Sequence, residues 1–440
     1  MSDIIGRLGK NLFGDNPDIE ARIKNGIELY RKGAAKITVK DAAGNPVEHA
    51  EIEFRMTKHE YDFGCNAFFY RQFGDDARNA AYEKAFAGLF NLAVVPFYWD
   101  ATEPEEGKLR YDKGSPKFHR RPATDELLEF CKENRIKPKG HPLFWHQFLP
   151  SWLRPEGAAE KLERRIAGIA ARYGHQIKNW DVVNEALSLH TQEDRVPQNH
   201  VELAFEMAKK HFPSFSTFNY NEIPHYSWNT FTRGYSPLYL LTKHLIDKGL
   251  KVDGLGLQYH LFGCLPEKMA DCWADYYLDP RRLYDNMDQY QKLGIPFNIS
   301  EITVTAHQGL GPQAFDFQAA AVERLYKIWF SHPGSNGIIY WNLVDNTAHE
   351  NKKDATWNEN VYLGGLLNND TSPKPSYLAL ENLIKKEWVS DGTIAYDAAK
   401  SNYFRGFFGE YDVVVKTDAG EFHRKMSLMK NKYNEQVFTA

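Results

Sequence analysis

Eight short apolar runs alternate with helical stretches through most of this chain, and few architectures accept that order. The strand-like runs start near Tyr61, Leu92, Pro138, Lys178, Ser216, Asp253, Pro296 and Gly337. Between them lie segments of helical periodicity. In one, Leu162, Ile166, Ile169, Ala170 and Tyr173 fall on a single face. Some segment ends carry start and stop chemistry: Asp279 can cap, Pro280 suits a first turn and Gly294 can close a helix in the left-handed region. Ser236, Pro237 and Gly249 repeat the arrangement one unit earlier. Eight strand-then-helix units predict an α/β chain closed into a (β/α)8 TIM barrel over residues 61–388. An open doubly wound sheet would normally show a glycine-rich phosphate turn after its first strand, and none is present.

The chain ends follow a period of two instead. Residues 35–40 and 50–56 read as two strands of a hairpin around Gly44-Asn45-Pro46. Three more strands are expected over 403–408, 411–416 and 421–426. A lone hairpin is marginal in water, so the two ends are expected to combine into one small β-domain, residues 35–60 with 391–440. This domain reads either as a carbohydrate-binding module or as a cover for the barrel bottom that ties the termini together; it shows no row of exposed tryptophans, which favours the cover, with Val413, Val414 and Val415 as core rather than binding face. Residues 1–34 are predicted as a helical extension with Ile19, Ile23, Ile27 and Tyr30 near one face.

Composition narrows the function classes. The 440 residues carry a formal net charge of -4, with 42% hydrophobic and 25% charged residues. That balance excludes wholesale disorder and gives no basis for nucleic-acid or anionic-membrane partners. No run of about 18 apolar residues occurs, so no transmembrane helix is expected. The start lacks the basic-then-apolar order of a signal peptide, which reads as cytoplasmic, or as secreted or periplasmic if the N-terminus has been trimmed. Cysteines 65, 131, 264 and 272 are irregularly spaced, so neither a zinc site nor a disulfide framework is argued. The aromatic share of 14% fits either a large core or a sugar-stacking cleft.

In a barrel of this type, chemistry sits at the C-terminal ends of the strands. Strand four ends Trp180-Asp181-Val182-Val183-Asn184-Glu185, strand six Gln258-Tyr259-His260 and strand seven Asn298-Ile299-Ser300-Glu301. Glu185 and Glu301 therefore face each other across the ring. One protonated and one ionised carboxyl is what glycoside hydrolysis requires. Asn184 is placed to donate to a sugar hydroxyl and His260 to orient Glu301.

These motifs resemble glycoside hydrolase family 10, the endo-β-1,4-xylanase family. Trp180–Ala186 resembles its acid/base motif, Gly140–His146 with Leu149-Pro150-Ser151-Trp152 its third strand, Gly254–His260 its sixth and Ile299-Ser300-Glu301 its nucleophile strand. Pro373–Tyr377 resembles the opening of its last helix. The resemblance implies a retaining hydrolase with Glu185 as general acid/base and Glu301 as nucleophile, roughly 5–5.5 Å apart. It implies that Asn184 binds the hydroxyl beside the anomeric carbon, His260 holds Glu301 and Gln258 sits near Glu185. It further implies that His141, Trp145 and Trp341 line the sugar site before the cut. No metal or cofactor is implied, and no His-Glu-x-x-His pattern occurs.

Other positions depart from the family. Its Glu-Asn-x-Met-Lys-Trp run becomes Val94-Val95-Pro96-Phe97-Tyr98-Trp99, a usual glutamine falls at Phe148, and a usual tryptophan after strand eight is replaced near His349. Strand five reads Asn219-Tyr220-Asn221-Glu222, with Asn221 counted among the substrate-binding positions. Tyr98 and Phe148 read either as altered subsite residues or as packing that closes the cleft. The expected function is hydrolysis of β-1,4-linked xylan or xylo-oligosaccharides, with a carbohydrate as the partner. The alternatives are the same chemistry on another β-linked oligosaccharide or β-glycoside, and a non-catalytic carbohydrate-binding protein.

Overall fold

A computed structural model describes residues 4–188, 195–228, 233–351 and 353–440. Among the described residues, fifteen strands form three sheets. β1 (Lys32–Lys40) and β2 (His49–His59) precede the barrel. The barrel strands are β3 (Asp62–Asn66), β4 (Leu92–Pro96), β5 (Lys137–His141), β6 (Asn179–Asn184), β7 (Thr217–Glu222), β8 (Gly254–His260), β9 (Phe297–Thr303) and β10 (Ser335–Tyr340). They close in the order β10-β3-β4-β5-β6-β7-β8-β9, every pairing parallel. Each begins within a residue or two of its sequence-predicted start. Continuous apolar runs such as Leu92-Ala93-Val94-Val95 are the mark of strands covered on both faces.

The helices between strands bury the faces their periodicity predicts. In the helix Ala158–Tyr173, Leu162, Ile166, Ile169, Ala170 and Tyr173 are all buried. Asp279 accepts from the Arg281 N–H at 2.9 Å with Pro280 in the first turn, and Gly294 closes that unit at φ 75°. Ser236 occupies the same position before the helix Pro237–Asp247 but makes no side-chain cap bond.

The chain ends form a two-sheet sandwich. β11 (Asp391–Asp397), β12 (Tyr403–Phe407), β13 (Gly409–Thr417), β14 (Gly420–Leu428) and β15 (Glu435–Thr439) complete it. One sheet runs β12-β1-β15 and the other β11-β2-β13-β14. β1 and β2 therefore go to different sheets, contrary to the hairpin expected from their spacing. Their turn keeps a single bridge, Lys40 to Pro46, beyond which each strand finds longer partners from the C-terminal segment. β11 and β15 were not legible as strands: each buries one residue, Tyr396 and Phe438, and so lacks a clear alternation. The sheets meet through Phe54, which stacks on Phe404 at 4.2 Å, with Phe438 and Tyr411 completing the layer. Val413 and Val415 are buried, and Val414 only partly.

The sandwich sits at the N-terminal ends of the barrel strands. Phe63 of β3 stacks on Trp388, Trp388 stacks on Phe330 at 4.1 Å, and Phe407 of β12 joins them through Phe330 and His59. Arg31, buried, ties the extension to this end by donating to the carbonyls of Phe330, His332 and Ser335. The extension consists of the helices Ile4–Gly9 and Pro17–Tyr30. The second packs Ile19 and Ile23 inward, whereas Tyr30 lies exposed at its end. Cys264 and Cys272 are disulfide-bonded in the segment after β8, a link that their spacing of eight had not suggested. Cys65 and Cys131 are free and buried. No helix among the described residues is long and apolar enough to cross a membrane.

Phe54→Ala removes the ring at the centre of the sandwich. It is expected to cost about 3–5 kcal/mol of unfolding free energy in urea titration, as large-to-small core changes do. A loss under about 1 kcal/mol would mean that the two sheets do not depend on this contact.

Candidate active site

Strand register brings the polar residues together. Asn184 on β6 pairs with Asn221 on β7, Gln258 on β8 pairs with Glu301 on β9, and His260 pairs with Thr303. Gly256 of β8 lies beside Asn221, where an added Cβ would stand 2.1 Å from the Asn221 Oδ1. A side chain there would push the amide out of place, so the position demands glycine. Glu185 follows β6 directly. Its φ of 55° is unusual for a non-glycine residue, and its N–H donates to the Asn221 carbonyl at 2.8 Å. Strained backbone of this kind persists where surrounding bonds hold it, and it often aims a functional side chain.

Two buried carboxyl groups are linked by amide side chains. Gln258 Nε2 donates to Glu185 Oε1 at 2.8 Å and lies 3.4 Å from Asn184 Oδ1. Asn221 Nδ2 donates to Asn184 Oδ1 at 2.7 Å and to Glu301 Oε1 at 2.8 Å. Gln147 Nε2 donates to Glu185 Oε2 at 3.2 Å. The sequence comparison had put a lost glutamine at Phe148; a glutamine stands one position earlier and reaches the acid. Asn221 is completely buried with its Nδ2 committed to Asn184 and Glu301. It supports the carboxyl pair from below and does not present itself to a ligand, as had been expected of it.

Electrostatics separate the two acids. Burial pushes Glu185 well above the ordinary carboxylate range, and the neighbouring Glu301 charge pushes it further. Burial also raises Glu301, but His141 and the Asn221 amide oppose it, and it stands at about 7. His141 Nε2 lies 3.8 Å from Glu301 Oε1. Behind it runs a buried chain: His141 Nδ1 to Asp181 Oδ2 at 2.9 Å, and Asp181 Oδ1 to Lys139 Nζ at 2.9 Å. Burial alone would raise Asp181, but Lys139 and His141 more than offset it and hold the carboxyl below its usual value.

His260 Nε2 stands 3.2 Å from Glu301 Oε2 and its Nδ1 stands 2.9 Å from the Thr303 hydroxyl. Burial lowers this imidazole to about 4, so it is neutral at pH 7. Its hydrogen is then assigned to Nε2, facing the carboxylate, and Nδ1 accepts from Thr303. Thr303, Gln147, Lys139 and Asp181 carried no role in the sequence reading. Thr303 was detectable in principle, since it lies two residues after Glu301 on the same face of the strand.

The family model described as glycosyl hydrolase family 10 matches residues 55–383. The chain belongs to this family. Among relatives, it is 26% identical over 410 residues to Anti-sigma-I factor RsgI6 of Acetivibrio thermocellus, covering 91% of this chain and 47% of that protein. It is 24% identical over 311 residues to Endo-1,4-beta-xylanase B of Thermotoga neapolitana, covering 66% and 78%. The chain thus spans about half the length of the first of these relatives. In structure it is similar to xylanase 10B of Thermotoga petrophila in complex with xylobiose, with TM-score 0.57 and 23% identity over 74% of this chain and 95% of that one. That likeness establishes the fold.

Against this family background the remaining sites fall into two groups. His141 and Trp341 face the carboxyl pair. Trp341 lies 6.0 Å from His260 and 5.8 Å from His141, ring to ring. Tyr98, Trp145 and Phe148 lie on the side of β4, in one apolar cluster with Phe68 and Trp341. Tyr98 meets Phe148 at 5.1 Å, Trp145 at 5.8 Å, Phe68 at 5.7 Å and His141 at 5.8 Å. Tyr98 is buried, whereas Trp145 and Phe148 are half-buried. Val94 joins the same apolar cluster.

A raised carboxyl makes folding depend on pH. The folded chain holds the Glu301 proton up to about pH 7, the unfolded chain only to about 4.5. Between those values the folded state binds more protons, so stability falls as pH rises. Glu301→Gln abolishes this loss. Calorimetry should find the variant more stable than the parent by about 1–3 kcal/mol at pH 8 and nearly equal to it at pH 4. Equal stability at both pH values would refute the raised value.

Proposed function

We propose that this chain is a retaining β-glycoside hydrolase that cleaves β-1,4-linked xylan or xylo-oligosaccharides by double displacement. The observation that carries the reading is the buried Glu185–Glu301 pair, bridged by Asn184, Asn221 and Gln258, with surroundings that raise Glu185 well above its ordinary value and Glu301 to about 7, which supports Glu185 as the proton donor. Family membership and similarity to proteins named as xylanases support the substrate class. The structure described as a xylobiose complex supports a short β-linked oligosaccharide as the ligand.

Chemistry follows from these environments. Ionised Glu301 attacks the anomeric carbon as the bond to the leaving oxygen breaks, and the Glu185 proton passes to that oxygen. The product is a glycosyl ester on Glu301. With Glu301 now uncharged, the repulsion that raised Glu185 disappears and its affinity for a proton drops. Glu185 then takes a proton from water, whose oxygen attacks the anomeric carbon and releases Glu301. Neutral His260, donating from Nε2, steadies the Glu301 oxygen without neutralising it outright. A binding protein would have no use for an acid held protonated beside a second carboxylate, which argues against the non-catalytic alternative.

Proton NMR of xylohexaose digestion is the direct check: the β-anomer is expected first, and initial release of the α-anomer would eliminate double displacement. Glu185→Ala should lose about 10²–10⁴-fold in rate on xylo-oligosaccharides. Its loss should be much smaller on an aryl glycoside whose leaving group needs no proton. Glu301→Ala should be inactive on both. Full retention of activity by either variant on xylohexaose would defeat the assignment.

A further inference from the structure

Arg121 lies against the aromatic cluster at the β4 side of the cleft, and it has no acidic partner within ion-pair distance among the described residues. Its guanidinium covers the Tyr98 ring at 3.5 Å and approaches Phe68 and Phe148 at 5.4 and 5.7 Å. Of its donors, one bonds to the Arg120 carbonyl at 2.9 Å. Arg120, buried beside it at φ 60°, spends its Nη1 on Asn342 Oδ1 and the Thr347 carbonyl. It makes no ion pair either among the described residues. His119 and His349 stand near the two arginines, and each is held below its usual value by burial first and then by these arginines, so neither adds charge at neutral pH. Asp100 is the acid whose charge bears on Arg121, and burial raises its carboxyl above the usual value while Arg121 opposes this.

A cation in such a place is costly. Burial lowers Arg121 to about 10, with the Tyr98 hydroxyl opposing and Arg120 reinforcing the drop, so it stays charged at neutral pH. Stacking on an aromatic face recovers part of the lost hydration but leaves the edge N–H groups without an anion. Arg121 lies two rings out from Glu301, through Tyr98 and His141. On the hydrolase reading this is the side that the family resemblance assigns, through His141 and Trp145, to the sugars before the cut, and there Val94 and Tyr98 stand in place of the polar residues usual in the family. We infer that this end of the cleft receives a β-linked oligosaccharide bearing a uronic-acid carboxylate at its non-reducing end, with Arg121 as the recognising group. The inference rests on the hydrolase reading above and names the substrate that reading leaves open. A guanidinium edge matches a carboxylate in two-point geometry, and the flat Tyr98 beneath fixes its plane.

The test compares two substrates of one shape: a xylo-oligosaccharide with glucuronic acid at its non-reducing end, and the same compound with the carboxyl reduced to an alcohol. The full chain is expected to show kcat/KM about tenfold higher on the acid at low salt. That ratio should shrink towards one in molar salt and in Arg121→Gln, while Arg121→Lys keeps part of it. Equal kcat/KM on both compounds would overturn the inference and leave the hydrolase reading intact. If neither is cleaved, the xylan reading fails, and the affinity of the Glu185→Gln protein for the same pair decides. Binding of the acid about tenfold tighter, lost on adding Arg121→Gln, would uphold the carboxylate site. Equal affinity, or no binding of either, would overturn it. Because the decisive quantity is a ratio on one protein, partial loss of folding in a variant does not imitate the result, and the salt dependence of the unmodified chain provides a second reading.

Discussion

Burying two carboxyl groups side by side is unfavourable twice over, once for lost hydration and again for mutual repulsion, and the barrel mouth is organised around that cost. The repulsion is relieved by retaining a proton, and the surroundings decide which oxygen keeps it. Glu301 faces His141, backed by Asp181 and Lys139, and accepts from Asn221. Glu185 faces neutral amides and no cation in contact among the described residues. The same asymmetry suits the proposed division of labour, in which one group gives a proton while the other attacks. Asn221 and Gly256 show how far the arrangement reaches below the surface: the amide is completely buried, and the strand beside it forgoes a side chain to admit it.

Much of the barrel was legible in the sequence because parallel strands covered on both faces leave uninterrupted apolar runs, and because helices with one buried face keep their period. Leu92–Val95 and the face Leu162 to Tyr173 are examples. The terminal sandwich was legible only in part. β1 and β2 alternate clearly, but alternation says that a strand is half-buried, not which strand it pairs with. Their partners come from more than 330 residues away in sequence, as in Ile52 with Ile394 and Ala35 with Phe404. The short local turn invited a hairpin, and the tertiary pairing prevailed. Cys264 and Cys272 were missed for a similar reason: their approach depends on how the segment after β8 folds back, which spacing does not encode.

At the site, residue types were easier to read than their roles. Glu185, Glu301, Gln258 and His260 come together as their strand ends suggested. Asn221 was counted among the substrate-binding positions, and its buried side chain reaches Asn184 and Glu301. Thr303 went unread because a hydroxyl two residues from a carboxylate is unremarkable until its partner is known. Here the partner is a histidine whose two nitrogens must differ, and the hydroxyl makes them differ by donating to one. Arg121 escaped notice because it lies in a loop with no motif, and only the stacking on Tyr98 brings it to the cleft.

The departures from the family fall where the reaction tolerates them. Groups touching the anomeric centre are constrained by the charge that develops there, and losing one oxyanion- or proton-handling group costs several powers of ten in rate. Groups farther along the cleft contribute binding, where each lost hydrogen bond to a sugar hydroxyl is worth only about 0.5–1.5 kcal/mol. Exchanging polar side chains for Val94, Val95, Tyr98 and Phe148 is therefore affordable only if something else holds the sugar. An aromatic cluster alone offers a surface to pack against but little orientation. An arginine laid flat on that cluster, as proposed for Arg121, would offer both, with its face on Tyr98 and a charged edge for an anion. On the proposed reading the two changes belong together: the rings occupy the space of the polar residues, and they make a half-buried guanidinium tolerable two rings out from Glu301.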